Sequence, residues 1–310
     1  MNTFKKFAAL VAVIFFVTFN VASAENSIST KEAISQNFEG ELDKYLNSLP
    51  HKTGAYKSKQ RPILLEGAMN SEIEKFVHAL KNPVVYKILN YVYIAGTYKD
   101  YPVIVARTEQ GMENAAAVTA LAIENFKPVA VINQGTAGGH VAEAKVYSII
   151  IGDKYVNSSA YISEKTPEGA GVKIFPQEMR GTFAYDKNEK TFKLYQEYFP
   201  DPTLLKIAVE VASANKNFST LKGTITSADS WNNGIDHYKH LHENYGSLAE
   251  EMENCAAAQI CKSSGVPFIG IRVISNNTIL AFNYHEDAGN VSQDFVLLVV
   301  EKYISDVLKK

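Results

Sequence analysis

The chain has 310 residues, 46% of them hydrophobic and 21% charged, with 31 basic against 33 acidic side chains and a formal net charge of −2. That composition is globular rather than disordered or collagen-like, and the length suits one large α/β domain or two small ones. The only arginines, Arg61, Arg107, Arg180 and Arg272, are scattered, which argues against a polyanion-binding groove.

Residues 1–24 read as a secretory signal peptide. Lys5 and Lys6 precede an uncharged run from Phe7 to Phe19, and Val21-Ala22-Ser23-Ala24 supplies an A-x-A cleavage site after Ala24. The run is shorter than the roughly 20 residues a membrane-spanning helix needs. The expected mature chain is exported, to a periplasm or beyond. Residues 25–60 follow as an N-terminal extension, with helical spacing over 30–48 and a polar linker up to Arg61-Pro62.

From residue 61 to 310 strands and helices alternate. Strands are expected at 63–65, 91–95, 102–106, 129–133, 146–151, 222–227 and 268–275, with a hairpin turn at Tyr98-Lys99-Asp100. Helices are expected at 71–80, 114–125, 249–264 and 295–308. The stretch 157–200 looks like an excursion. Apolar strands alternating with helices predict an α/β fold: a single domain with a twisted mixed central sheet flanked by helices. Cys255 and Cys261 are too few for a disulfide scaffold or a cysteine-rich zinc site. On one helix they stand about 9 Å apart, beyond the roughly 7 Å that a disulfide tolerates between Cα atoms. Both are predicted buried and unbridged.

Binding sites in such sheets lie at the carboxyl ends of strands. Four strand ends here carry unusual residues. Glu66-Gly67-Ala68-Met69-Asn70-Ser71-Glu72 turns a strand into a helix. Asn133-Gln134-Gly135-Thr136-Ala137-Gly138-Gly139 is a Gly-rich turn whose amides can approach a ligand, but it is neither a dinucleotide fingerprint nor a P-loop. Glu250-Glu251-Met252-Glu253 brings three acids to an alanine-rich helix, where their ordinary role is to satisfy the helix dipole. Arg272-Val273-Ile274-Ser275-Asn276-Asn277 places an Arg inside an apolar strand, where it needs a partner.

In this order the four segments, with Val266-Pro267-Phe268, resemble the purine nucleoside phosphorylase and nucleosidase superfamily, and within it the methylthioadenosine/S-adenosylhomocysteine nucleosidases. The resemblance spans roughly residues 61–310 and is poor over 25–60 and 157–200. It implies a nucleoside phosphorylase-like fold, a homodimer, a purine nucleoside as the small-molecule partner, and no cofactor.

Cleavage of an N-glycosidic bond needs a held ribose, a stabilised leaving base and a nucleophile at C1′. By resemblance Glu253 holds the ribose hydroxyls, Met252 packs on the sugar, and Thr136, Ala137 and Gly138 face the nucleophile. Glu251, Asn232, Arg272 and Ser275 are expected among the substrate-binding residues. Trp231, the only tryptophan, is expected to stack on the base, with a core anchor as the alternative. Related phosphorylases hold phosphate with two arginines; the matching positions here are Ser71 or its neighbours and Asn133, and Arg107 is a lone substitute. Glu72 stands instead where the hydrolases carry a carboxylate that orients water. Hydrolysis is therefore expected, with Glu72 and Asn276 as catalytic residues.

Asn276 departs from the family pattern, which has an Asp that protonates purine N7. An amide hydrogen-bonds N7 but transfers no proton at neutral pH. Three explanations stay open: Asn276 suits a 6-oxopurine; another acid (Asp229, Glu286 or Asp287) substitutes; or the chain binds nucleosides without turnover, as a binding or storage protein. His285, with Tyr284, Glu286 and Asp287, reads as a mobile rim. His237, His240 and His242 read as solvated surface rather than metal ligands.

Overall fold

The computed structural model describes residues 40–171, 177–186, 189–280 and 283–309. The expected signal peptide and most of the predicted helix at 30–48 lie outside them. Glu41–Ser48 (α1) is the described part of that helix and belongs to a unit of its own.

The second unit, from Leu49 onwards, opens with His51–Lys52 (β1), which pairs in parallel with Val85 and Tyr86 of a later strand. Tyr56 packs edge-on against Tyr86 and Phe126. Within the expected linker, His51 and Lys52 thus pair into the sheet and Tyr56 packs on its core side. Ile63–Gly67 (β2) is buried along its whole length and leads into Asn70–Ala79 (α2), whose Ile73, Phe76 and Val77 are buried. Lys81–Ile88 (β3), Tyr91–Tyr98 (β4) and Tyr101–Arg107 (β5) form an antiparallel meander. Lys99 and Asp100 supply the left-handed φ angles, 49° and 59°, that a two-residue hairpin loop needs.

Met112–Phe126 (α3) and Ala130–Gly139 (β6) follow. After Ile149–Asn157 (β7), the chain leaves the main sheet. Tyr161–Ser163 (β8) pairs with Gln177–Met179 (β9), and Thr182–Asp186 (β10) with Thr191–Tyr195 (β11), as two small antiparallel sheets. This is the excursion expected over 157–200. Glu197–Tyr198 (β12) returns to β7. Pro202–Ala214 (α4) is capped by Asp201, whose carboxylate accepts from Thr203 N and Leu204 N. Then come Thr220–Ser227 (β13), Ile235–Tyr245 (α5), Ser247–Glu251 (β14), Asn254–Ser264 (α6), Phe268–Asn276 (β15) and Ala288–Tyr303 (α7), which ends in a π turn at Ile304–Leu308.

The main sheet has the order β1-β3-β4-β5-β2-β6-β14-β13-β7-β12, and β15 bridges β6 and β7. Five strands, β6, β14, β13, β7 and β15, thus close a ring. β6 is the pivot: its first half pairs with β2, and its Gly138 and Gly139 pair with β14. That pairing carries β6 past the expected strand at 129–133 and through the Gly-rich turn. A second departure lies at 249–264, predicted as one helix. Its first residues are strand, because Ala249, Glu250 and Glu251 pair in parallel with Ile225, Thr226 and Ser227 of β13. The helix begins only at Asn254. Cys255 and Cys261 are buried and unbridged on it, as expected. The last helix starts at Ala288 rather than near 295, and β3, α4 and α5 had no clear signal in the sequence.

Candidate active site

The ends of β2, β6, β13, β14 and β15 meet around one cleft that is partly open to solvent, with about 640 Å³ of space when its open mouth is counted. Its lining comes from Ala68, Met69 and Glu72 after β2, Gln110 before α3, and Thr136, Ala137 and Gly138 of β6. Ser230, Trp231 and Asn232 after β13, Tyr238 of α5, Glu250 to Glu253, Ser275 and Asn276 of β15, and Tyr284 complete it.

Glu72 is 3% exposed, and its carboxylate is held on both sides. Oε2 accepts from Ala68 N at 2.8 Å and Met69 N at 3.2 Å, the reach-back bond of a helix N-terminus. Oε1 accepts from Thr136 N at 2.7 Å and Thr136 Oγ1 at 3.0 Å. Gly135 makes this approach possible: a Cβ there would stand 2.8 Å from Glu72 Oε1.

One buried Arg organises the acids of β14. Arg272 is 1% exposed; its guanidinium pairs with Glu251, reaches Glu253 Oε2 at 3.4 Å and donates to Asn133 Oδ1 at 2.9 Å. The cost of burying this cation is met by its carboxylate partners. Glu251 also accepts from Ser227 Oγ, Glu253 N and Asn254 N, so its carboxylate fastens β13 and β14 to the start of α6. Glu253 is less consumed. Gly111 N donates to its Oε1 at 3.1 Å, and burial together with the neighbouring Glu251 charge pushes its pKa up to about 8.

At the other end of the cleft, Asn276 is 4% exposed. Its Oδ1 lies 3.1 Å from Ser275 Oγ, which also donates to Ala137 O, and its Nδ2 has no acceptor among the described residues. Trp231 is 60% exposed, with its ring centre 5.7 Å from that of Tyr284 at an angle of 61°. The core-anchor alternative for Trp231 is thereby excluded.

The structure brings together Glu72, Thr136, Ala137, Gly138, Trp231, Asn232, Glu251, Met252, Glu253, Ser275 and Asn276. Arg272 is the exception: it lies beneath the lining and works through Glu251 and Glu253 instead of touching the cleft. None of the three suggested substitute acids lines the cleft either. Asp229 accepts from Met112 N at the start of α3, and Asp287 accepts from Tyr147 on the surface. Arg107, the possible phosphate ligand, is engaged by Glu109 and Asn70 outside the cleft. His237 is not solvated surface as expected, since its ring, 12% exposed, contacts Glu250. Among the described residues no cluster of three or more His, Cys, Asp or Glu has the arrangement of a metal site. Glu250, Tyr238, Gln110 and Tyr284 were not expected among the site residues. Glu250 has a signal in its place beside Glu251, but its pairing with β13 and β6 makes it a strand residue and not a helix-dipole partner.

Residues 62–305 match the family model of the phosphorylase superfamily. A 5′-methylthioadenosine/S-adenosylhomocysteine nucleosidase of Shewanella frigidimarina is 32% identical over 212 residues, 68% of this chain and 84% of that protein. One from Bacillus pumilus is 29% identical over 246 residues, 77% of this chain and 98% of that protein. The crystal structure of the nucleosidase from Neisseria meningitidis, in complex with methylthio-immucillin-A, superposes with a TM-score of 0.64 at 23% identity, covering 78% of this chain and 100% of that one. The ring of strands, the carboxylate cleft at their ends and these matches make the chain a member of the phosphorylase superfamily, in the branch of the methylthioadenosine/S-adenosylhomocysteine nucleosidases.

Proposed function

We propose that this chain hydrolyses the N-glycosidic bond of purine nucleosides, with 5′-methylthioadenosine and S-adenosylhomocysteine as substrates and adenine as the released base. One observation carries the choice of water as nucleophile. Among the described residues the cleft is lined by four carboxylates, Glu72, Glu250, Glu251 and Glu253, and by no Lys, Arg or His. Phosphate entering such a site meets repulsion and no cation, whereas water needs only an acceptor and a position.

The chemistry follows from the residues. Glu253 accepts hydrogen bonds from the ribose hydroxyls, and its ionised form favours the positive charge that develops on the sugar. Met252 packs on the ribose and Trp231 lies over the base. All four acceptor sites of Glu72 are filled by Ala68, Met69 and Thr136. Only the Thr136 hydroxyl among those donors can rotate away, so the attacking water takes its place between Oε1 and C1′. As the C1′–O bond forms, C1′–N9 breaks with its electron pair passing to the purine, and Glu72 takes the water's proton; the purine anion then takes a proton from solvent to leave as adenine, and Glu72 returns its proton to solvent. Asn276 donates to N7 through Nδ2 and lowers the energy of the departing base without protonating it.

The same proposal has the chain exported, cleaved after Ala24 and working as a homodimer. The pattern of residues 1–24 supports the first part, and the family resemblance supports the second. Asn276 taken alone favours a nucleoside-binding protein without turnover. Chromatography of methylthioadenosine incubated with the protein decides between them: free adenine and a reducing thiosugar are expected, and intact nucleoside despite measurable binding would overturn the hydrolase.

A further inference from the structure

Of the four carboxylates of the cleft, the reaction above uses Glu72 and Glu253, and Glu251 is taken up by Arg272, Ser227 and the start of α6; Glu250 has neither role. It lies at the antiparallel junction of β14 and β6, where its backbone partner is Gly138. On the opposite side of Gly138, β15 places Asn276. Paired residues on adjacent strands present their side chains to the same face, and both side chains line the cleft. Gly138 contributes no side chain between them; a Cβ built there would meet Asn276 Nδ2 at 3.6 Å and Tyr238 Oη at 4.0 Å. A flat base resting on Gly138 is thus flanked by an amide on one strand and a carboxylate on the other.

The carboxylate is built in, not incidental. Oε1 accepts from Ser158 Oγ at 3.1 Å and lies 3.2 Å from His237 Nε2, while Oε2 accepts from Asn232 Nδ2 at 3.0 Å. Burial pushes its acidity down, but the contact with His237 and the hydrogen bond from Asn232 counter burial, and its pKa lies below the usual carboxylate value. An ionised carboxylate has about four acceptor sites. Three are taken among the described residues, and the fourth, on Oε2, has no donor among them, while Glu250 lines the cleft. A partly buried charge with an open acceptor site selects for an N–H and against a lone pair.

Resting on the nucleosidase reading, we propose that Glu250 is a specificity residue that accepts a hydrogen bond from the 6-amino group of the purine. Among the edge groups of N9-substituted adenine, that amine is the N–H donor. Asn276 then reads N7 beside it, and Ser158, His237 and Asn232 are positioning residues that fix the carboxylate. A 6-oxopurine turns an oxygen lone pair to the same point and is disfavoured.

The test is a series of bases measured by calorimetry, which requires no turnover: adenine, purine lacking any 6-substituent, and hypoxanthine, against the full chain and against Glu250→Gln. The wild-type protein should bind adenine about 10- to 100-fold more tightly than purine, the range expected for a hydrogen bond to a charged group. Hypoxanthine should bind more weakly than purine. Glu250→Gln should erase most of the preference for adenine over purine and improve hypoxanthine, because an amide can donate to the 6-oxygen. Equal binding of adenine and purine by the wild-type protein would overturn the proposal, and so would preferred binding of hypoxanthine, which would assign Glu250 to N1–H instead. The wild-type series stands even where the variant fails to fold. Base preference without any nucleoside cleavage would sink the hydrolase reading and leave this one standing.

Discussion

Glu72 Oε1 and Thr136, 64 positions apart in sequence, are joined twice, through the Thr136 backbone N at 2.7 Å and its Oγ1 at 3.0 Å. This clamp ties the first turn of α2 to the Gly-rich end of β6 and leaves the carboxylate facing the cleft. Substituting Glu72→Gln replaces an acceptor with a donor that points at backbone N–H groups. Release of adenine should fall by about 10²- to 10⁴-fold, the usual worth of a general base. Stability should drop by about 1–3 kcal/mol because buried donors lose their acceptor. Steady-state kinetics with a denaturation curve separates the two effects; unchanged kcat would remove Glu72 from the reaction.

Asn276 is the residue at which this chain should be slow. Asn276→Asp puts a protonatable group on the same strand end, next to Ser275 Oγ and 4% exposed as Asn. Burial raises the pKa of a carboxyl, so the new side chain is an acid near neutral pH. The rate should rise by about 10²-fold or more and acquire a falling alkaline limb that the native protein lacks. A rate unchanged by the substitution would mean that the proton reaches the base by another route.

Ribose binding should be linked to the proton on Glu253. Its pKa, pushed up to about 8 in the free site by burial and by Glu251, means that the carboxyl holds a proton at pH 6 to 7. The ionised form accepts from the two hydroxyls through charge-assisted hydrogen bonds that the neutral acid lacks, so affinity should increase as pH rises from 6 and level off above about 8. Calorimetry at pH 7 in buffers of different ionisation enthalpy should register proton release. Glu253→Gln should bind more weakly and show neither the release nor the pH slope.

A second carboxyl, outside the cleft, affects stability. Glu66 on β2 is 0% exposed and is held by Thr119 Oγ1 at 2.8 Å and Asn133 Nδ2 at 3.0 Å. Burial raises its pKa from 4.5 to about 7. The folded protein therefore binds this proton more tightly than the unfolded chain. The associated stability is complete below pH 4.5 and is lost as pH climbs through about 7. The loss amounts to at most about 3 kcal/mol. Glu66→Gln should flatten the decline of Tm between pH 5 and 8; an identical slope in the variant would place the linkage elsewhere.

Much of this was readable in the sequence, and the failures have physical reasons. β2, β5, β13 and β15 stand where apolar runs and turn residues announced them, and so does the helix that delivers Glu72. Motif order was enough to gather Glu72, Thr136, Trp231, Glu253 and Asn276 into one cleft. What local pattern does not carry is pairing. The acids at 250–251 look like a helix entrance until β13 and β6 claim them as a strand, and only that register brings Glu250 opposite Asn276 across Gly138. Arg272 has the residue type of a ligand-binding group. Its depth beneath the cleft follows from a strand buried along its whole length, where Glu251, Glu253 and Asn133 are its partners. Trp231 lies in a polar loop with no periodicity, so its exposure was undetermined until the rim around Tyr284 was in place.

Water and phosphate as nucleophiles are told apart by adenine release from 5′-methylthioadenosine by the native protein in phosphate-free buffer. Adenine should be released at a rate that added phosphate leaves unchanged, with free 5-methylthioribose as the sugar product. Release that requires phosphate and yields the sugar 1-phosphate would contradict hydrolysis, because the carboxylate-lined cleft would then be holding an anion.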